Sequence, residues 1–150
     1  MKKIVIFGGG SGLSQLLKGL KLFPVDVTAV VSMSDNGRST GMLRKDFNIP
    51  AVGDITKVML SMSDVDKDII ELLNYKFQTS SSIESHSIKN LMLTALLDIK
   101  GNFKEALPVL NKMLRVKGRV LPLTEDSVDL IGISNEGKEI FGEEELTKCD

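Results

Sequence analysis

Ile4-Val5-Ile6-Phe7 is an unbroken apolar run of β-forming residues, the pattern of a strand buried on both faces of a parallel sheet. Gly8-Gly9-Gly10 ends it. Beyond these glycines Leu13, Leu16, Leu17 and Leu20 recur at i, i+3, i+4 and i+7, the apolar stripe of a helix with Ser11 as its candidate amino-terminal cap. Pro24 then breaks the chain ahead of Val27-Thr28-Ala29-Val30-Val31, a second buried strand rich in β-branched residues. A strand, a helix and a strand spaced this closely predict a right-handed crossover with the two strands parallel.

From Ser32 to Gly53 the periodicity weakens and polar, glycine and proline residues gather, which predicts a long functional loop around a short helical turn near Met42 to Asp46. Helical stripes return with Ile55, Val58, Met59 and Met62, with Ile69, Leu72 and Leu73, and with Ile88, Leu91, Met92, Ala95 and Leu96. The polar stretch Thr79-Ser80-Ser81-Ser82 between the last two predicts an exposed loop. Phe103, Ala106, Leu107, Leu110, Met113 and Leu114 mark one more helix, with Pro108 early enough to be tolerated or to kink it and Gly118 as its terminator. Val120 to Leu123 and Val128 to Ile133 read as strands, the second turning through Asn135-Glu136-Gly137 toward Ile140-Phe141 as a hairpin.

The resulting expectation is an α/β chain, a doubly wound, mostly parallel Rossmann-like sheet, with residues 1–150 forming a single nucleotide-binding-type domain. A sheet of that type has five or six strands, whereas two parallel strands and three short later ones are legible here, so the sheet is expected to be truncated at the carboxyl end. Such a sheet leaves an unpaired edge and an uncovered apolar face, which predicts a homo-oligomer or a missing carboxyl-terminal half.

Composition narrows the function classes. A formal net charge of -1 offers no broad attraction to nucleic acid, so no nucleic-acid partner is expected. The first apolar run stops after four residues, too short for the core of a signal peptide, and no later run approaches membrane-spanning length. The single cysteine, Cys149, allows no internal disulfide and no cysteine metal cage, and reads as an exposed thiol without function. Together these predict an unprocessed cytoplasmic protein with no membrane span.

The strongest chemical signal is Gly8-Gly9-Gly10-Ser11-Gly12-Leu13 at the junction of a strand and an amphipathic helix. Glycines there let backbone N–H groups approach an anion, and the helix amino terminus adds about half a positive charge. The reading is a phosphate cradle, with a merely tight strand-to-helix turn as the plainer alternative. It is not the dinucleotide fingerprint, since Leu13 stands where the third glycine belongs, and no Gly-Lys-Ser/Thr follows to make a Walker loop. Asp35-Asn36-Gly37-Arg38-Ser39-Thr40-Gly41 follows the second strand and is expected to meet the glycine loop across a shared crevice. Asp35 suits a hard cation or a ribose hydroxyl, and Arg38 and Ser39 suit phosphate oxygens. The plain alternative is an Asp-Asn-Gly turn with a solvated arginine. His86, the sole histidine, and Asp54, at the start of a helix, read on chemistry alone as a cap or surface residue and as a helix cap.

Five ordered blocks add weight: Gly8-Gly9-Gly10-Ser11-Gly12-Leu13-Ser14, Ser34 to Arg44, Pro50-Ala51-Val52-Gly53-Asp54-Ile55, His86-Ser87-Ile88-Lys89-Asn90-Leu91 and Gly118-Arg119-Val120-Leu121-Pro122. In this order they resemble the amino-terminal half of the YvcK, or gluconeogenesis factor, family, which is related to the phospholactate transferase that helps make a deazaflavin coenzyme. The resemblance runs from Met1 to about Gly142. It implies a variant of a doubly wound nucleotide-binding fold that binds a uridine diphosphate sugar and regulates bacterial carbon use and cell-envelope growth. It further implies that Gly9, Gly10, Ser11 and Gly12 hold phosphate, that Asp35, Asn36 and Ser39 face the ligand, and that His86, Ser87 and Asn90 line the same crevice; Leu13, Arg38 and Asp54 complete the candidate ligand-binding set.

The chain departs from the family pattern at Asn36 and Arg38, where an aspartate and a glycine are usual, and at Lys89, where glycine is usual. Two functions are carried forward. One is a nucleotide-sugar-binding regulator without turnover of its own and with no certain cofactor. The other is a magnesium-dependent transferase of the phospholactate type with Asp35 as metal ligand, a reading that Asn36 disfavours.

Overall fold

The computed structural model describes residues 1–35 and 37–148, with the backbone alone at 38, 82 and 144. Strand β1 (Lys2–Gly8), helix α1 (Ser11–Leu20) and strand β2 (Val25–Val31) form the expected parallel unit. There follow α2 (Arg38–Phe47), α3 (Gly53–Met62), α4 (Lys67–Asn74), a 3-10 turn (Ser82–Ser85), α5 (Ile88–Lys100) and α6 (Phe103–Met113). Strand β3 (Arg119–Pro122) then pairs parallel to β2, so the sheet runs β1-β2-β3. A separate antiparallel hairpin, β4 (Ile131–Ile133) and β5 (Glu139–Phe141), precedes the short α7 (Glu143–Leu146).

The α/β expectation with parallel strands is met by this three-stranded sheet. One face carries the core: Val27, Ala29, Val31 and Val120 are buried beneath α1, α3 and α6, together with Leu17, Val58, Met59 and Leu110. The other face is largely exposed. Val5, Phe7 and Leu121 are 58%, 69% and 46% exposed, so β1 is not buried on both sides as its unbroken apolar run suggests.

Four local expectations are corrected. Ser11 is the first residue of α1 rather than its cap: Gly10 holds the cap position, and the Ser14 hydroxyl turns back to the Gly10 carbonyl. The short turn at Met42 to Asp46 is part of a ten-residue helix, α2, which Asn48 ends in a left-handed conformation at φ 51°. Pro108 sits in the middle of α6, whose amino terminus is fixed by the Asn102 side chain accepting from the Glu105 N–H at 2.9 Å. Strand β4 begins at Ile131 rather than Val128, and Arg44 holds the preceding segment through Ser127, the Val128 carbonyl and Asp129.

Gly118 does not terminate α6, which ends at Met113. It steers the chain into β3 at φ +105°, where a Cβ would overlap the Val27 carbonyl and lie 2.8 Å from the Met62 methyl. Gly118→Ala is therefore expected to destabilise the fold by roughly 1–3 kcal/mol through left-handed strain and the clash with β2. A denaturant midpoint unchanged from wild type would contradict this account of the α6–β3 junction.

Candidate functional site: a crevice divided by charge

The parallel register aligns Gly8 with Val31, and Ser32 donates to the Gly8 carbonyl at 2.8 Å, so the loops after β1 and β2 leave the sheet side by side. This is where open parallel sheets bind ligands. The amino termini of α1 and α3 converge on the same place, and two carboxylates of the chain itself meet them.

Asp54, the second residue of α3, lies against the glycine turn. A Cβ on Gly10 would overlap the Asp54 carboxylate, and one on Gly9 would lie 3.7 Å from Oδ2. The absence of a side chain at Gly10 thus makes room for Asp54. Burial, followed by repulsion from Asp35, pushes the Asp54 carboxyl above its ordinary range, while the Gly10 backbone N–H and the Lys57 ammonium pull the other way. Asp54 is no cap of its own helix, where Val52 holds the cap position without a side-chain bond.

Asp35 is fixed by its own loop. Oδ1 accepts from the Gly37 N–H at 2.8 Å and Oδ2 from the Thr40 hydroxyl at 3.1 Å. A Cβ on Gly53, the first residue of α3, would lie 2.7 Å from Asp35 Oδ2, so this carboxylate rests over the amino-terminal turn of α3. Charge and helix dipole favour that placement. Glu143, at the start of α7, is raised by burial and then by Asp35 and Asp54, which puts a third carboxylate within their field. Among the described residues, no three acidic, histidine or cysteine groups are arranged to hold a metal ion.

A cavity of about 570 Å³ opens beside this pair. Asp35, Ser39, Thr40 and Asp54 line one part, Asn90 and Lys57 follow, and Lys76, Gln78, Glu84 and Ser85 complete it. Among the described residues that line it, none brings an aliphatic or aromatic side chain. Asn90 is buried and accepts from the Thr56 hydroxyl at 2.6 Å. His86 is buried and reaches the wall through Ser39, whose hydroxyl lies 2.9 Å from Nδ1. Burial lowers the His86 pKa, and Lys76 acts in the same direction against an opposing effect of Asp46. The ring is therefore neutral at pH 7, a relay for hydrogen bonds and not a cation.

Most of the residues singled out in the sequence come together here. Asp35, Ser39, Asp54 and Asn90 line the cavity, Gly9 and Gly10 adjoin it through Asp54 and Ser11 through Lys57, and His86 and Ser87 are buried, His86 against Ser39. Leu13 is 6% exposed and packs against Gly8, so its side chain belongs to the core rather than to a ligand. Gly12 has open space around it. Arg38 begins α2, whereas Asn36 and Cys149 lie outside the described residues. Lys57, Lys76 and Thr40 were not singled out. Only Lys57 was open to sequence reasoning, because it follows Asp54 by three residues on one helical face.

The sequence matches the family profile described as "2-phospho-L-lactate transferase CofD" over residues 4–150. This chain belongs to the CofD family. Among its relatives, the gluconeogenesis factor of Bacillus subtilis is 43% identical over 141 residues, 94% of this chain and 44% of that protein. That of Halalkalibacterium halodurans is 40% identical over 148 residues, 99% of this chain and 46% of the other. The crystal structure of an upf0052-family protein from Bacillus halodurans superposes with a TM-score of 0.95 at 38% identity, covering 99% of this chain and 48% of that one. The CofD-family chain thus spans about half the length of the relatives it matches. No helix among the described residues is long and apolar enough to cross a membrane.

The glycine turn yields a paired test. Gly12→Ala, in open helical space, should stabilise the chain by roughly 0.5–1 kcal/mol. Gly10→Ala should destabilise it by displacing Asp54, and Asp54→Ser added to Gly10→Ala should recover part of the loss, with a coupling of about 0.5–3 kcal/mol in a double-mutant cycle. Additive effects in urea denaturation would show that Gly10 and Asp54 do not share one space.

Proposed function

We propose that this chain is the nucleotide-sugar-binding portion of a gluconeogenesis-factor-type regulator of bacterial carbon metabolism and cell-envelope growth, and that it acts in the cytoplasm. The observation that carries this reading is the cavity beside the glycine turn. Its volume, about 570 Å³, lies within the range of small-ligand sites, and a lining of polar and charged residues with glycine suits hydroxyls and phosphates. Asp35 and Asp54 present carboxylate oxygens to sugar or ribose hydroxyls, and Asn90 and Ser39 offer hydrogen-bond partners of either sense. The names of its relatives, gluconeogenesis factors, support the regulatory role.

One observation favours a second reading, the magnesium-dependent transferase. Asp35 raises the pKa of Asp54, so the two carboxylates feel each other's charge, and a cation between them would relieve that repulsion. Magnesium is commonly held by one or two carboxylates together with substrate phosphates, and this donor pair fits such an ion. Asp35 and Asp54 would hold it, and it would supply charge neutralisation at a transferring phosphoryl group.

Thermal unfolding separates the two. A ligand present at a hundred times its dissociation constant adds about 2.7 kcal/mol, a shift of roughly 5–10 °C for a chain of this size. The regulator reading expects the largest shift from a uridine diphosphate sugar, equal with magnesium and with chelator. A larger, magnesium-dependent shift from guanosine nucleotides would replace it with the transferase. We carry self-association forward as a proposal as well, supported by the exposed face at Val5, Phe7 and Leu121. Sedimentation should show a concentration-dependent dimer, and a monomer at every concentration would remove the idea.

A further inference from the structure

We propose that a diphosphate entering this crevice is held by Lys57 and Lys76, with Lys89 behind them, and not by the glycine turn. The proposal rests on the nucleotide-sugar reading for the identity of the ligand, but on the placement of charge alone for the site of the anion.

The glycine turn already has an anion. The Asp54 carboxylate fills the space that the missing Cβ of Gly10 leaves, and Asp35 rests over the start of α3 nearby. A phosphate brought to the same N–H groups would meet two like charges at close range. The lysines present the opposite situation. Lys57 and Lys76 both line the cavity, and among the described residues neither they nor Lys89 form an ion pair. The Lys57 ammonium is steadied by the Ser11 hydroxyl at 2.5 Å, which ties it to the first residue of α1. Among the described residues Lys89 has neutral partners alone, the Asn74 side-chain oxygen at 2.8 Å and the Ser87 hydroxyl at 3.4 Å.

Three ammonium groups near one another, of which Lys57 alone is eased by the charge of Asp54, repel one another in the free protein, and an anion offsets that cost. The effect registers on Lys89, which burial, then Lys76, then Lys57 lower to about 8. The other charged groups on the cavity wall are Asp35, Asp54 and Glu84. A bound diphosphate would restore the charge of Lys89, so binding above that pH takes up a proton. Affinity should accordingly fall as pH rises through about 8, by up to about tenfold per unit. The crevice then orients its ligand, with hydroxyls toward the carboxylates and phosphates toward the lysines.

Calorimetric titration of the 150-residue chain with UDP-glucose and with inorganic pyrophosphate tests this, with circular dichroism to confirm that each variant is folded. Lys76→Met should weaken both probes by roughly 10- to 100-fold, the loss expected for a charge-assisted hydrogen bond. Between about pH 7 and pH 9, where the diphosphate diester of UDP-glucose does not titrate, Lys89→Met should flatten the pH dependence and weaken binding. Lys89→Arg should flatten the dependence while keeping the affinity, because its charge does not titrate. UDP-glucose bound equally by wild type and Lys76→Met would overturn the lysine subsite and leave the nucleotide-sugar reading intact. Pyrophosphate bound through Lys76 with no gain from the nucleoside and sugar would support the subsite and overturn that reading. Neither probe binding at millimolar concentration would overturn the subsite.

Discussion

The meeting of the Asp54 carboxylate with the turn at Gly10 is the constraint on which the site depends. It brings the amino terminus of α3 against that of α1, helices that pack together over the buried Leu13, Leu17, Val58 and Met59. The apolar contact between the two helices supplies the driving force, and the missing side chain at Gly10 lets them close fully. Once α3 is docked this way, Gly53 lies under Asp35 and Thr40, so the loop after β2 settles over α3. One close approach thereby sets the positions of both loops that follow the parallel strands.

That arrangement carries an electrostatic consequence. Carboxylates occupy the two helix amino termini that would ordinarily attract a ligand's phosphates, and the Asp54 carboxyl is raised by burial first and by the charge of Asp35 second. Lysines without ion-pair partners among the described residues stand on the remaining wall, where burial and mutual repulsion lower one of them. A polar cavity divided in this way favours a ligand that is itself divided, donating hydroxyls at one end and carrying negative charge at the other. Buried neutral groups, His86 with Ser39 and Asn90 with Thr56, hold the wall without adding charge to it.

Much of the fold was legible because local pattern determines it. The apolar runs at Ile4 and Val27, the leucine stripe of α1 and the turn at Asn135-Glu136-Gly137 each specify their elements without help from distant residues. The exposed sheet face was not legible, because Val5 and Phe7 have the same composition whether or not anything covers them. Gly118 was read as a helix terminator because it follows the last residues of an apolar helical stripe, yet the reason for glycine is its φ of +105° and the approach of β2, a contact remote in sequence. The site followed the same division. The glycine turn and Asp35 announce themselves locally, and the family resemblance brought in His86 and Asn90. Lys57 and Lys76 went unnoticed, and Lys89 was seen only as a departure from the family pattern, because the three lie on separate segments and share no period. Gly10 was assigned to phosphate because a glycine turn signals space for an anion without saying that the chain supplies its own.

The most direct test of this account is the titration of the Asp54 side-chain carboxyl, followed by carbon-13 NMR of the protein without ligand together with the Gly10 amide proton. If Asp54 is the internal anion of the glycine turn, its midpoint lies above the ordinary 3.8, falls when Asp35 is replaced by Asn, and coincides with a shift of the Gly10 amide. A midpoint at or below 3.8 that ignores Asp35, with a Gly10 amide that does not follow it, would contradict the account and return the turn to an external phosphate.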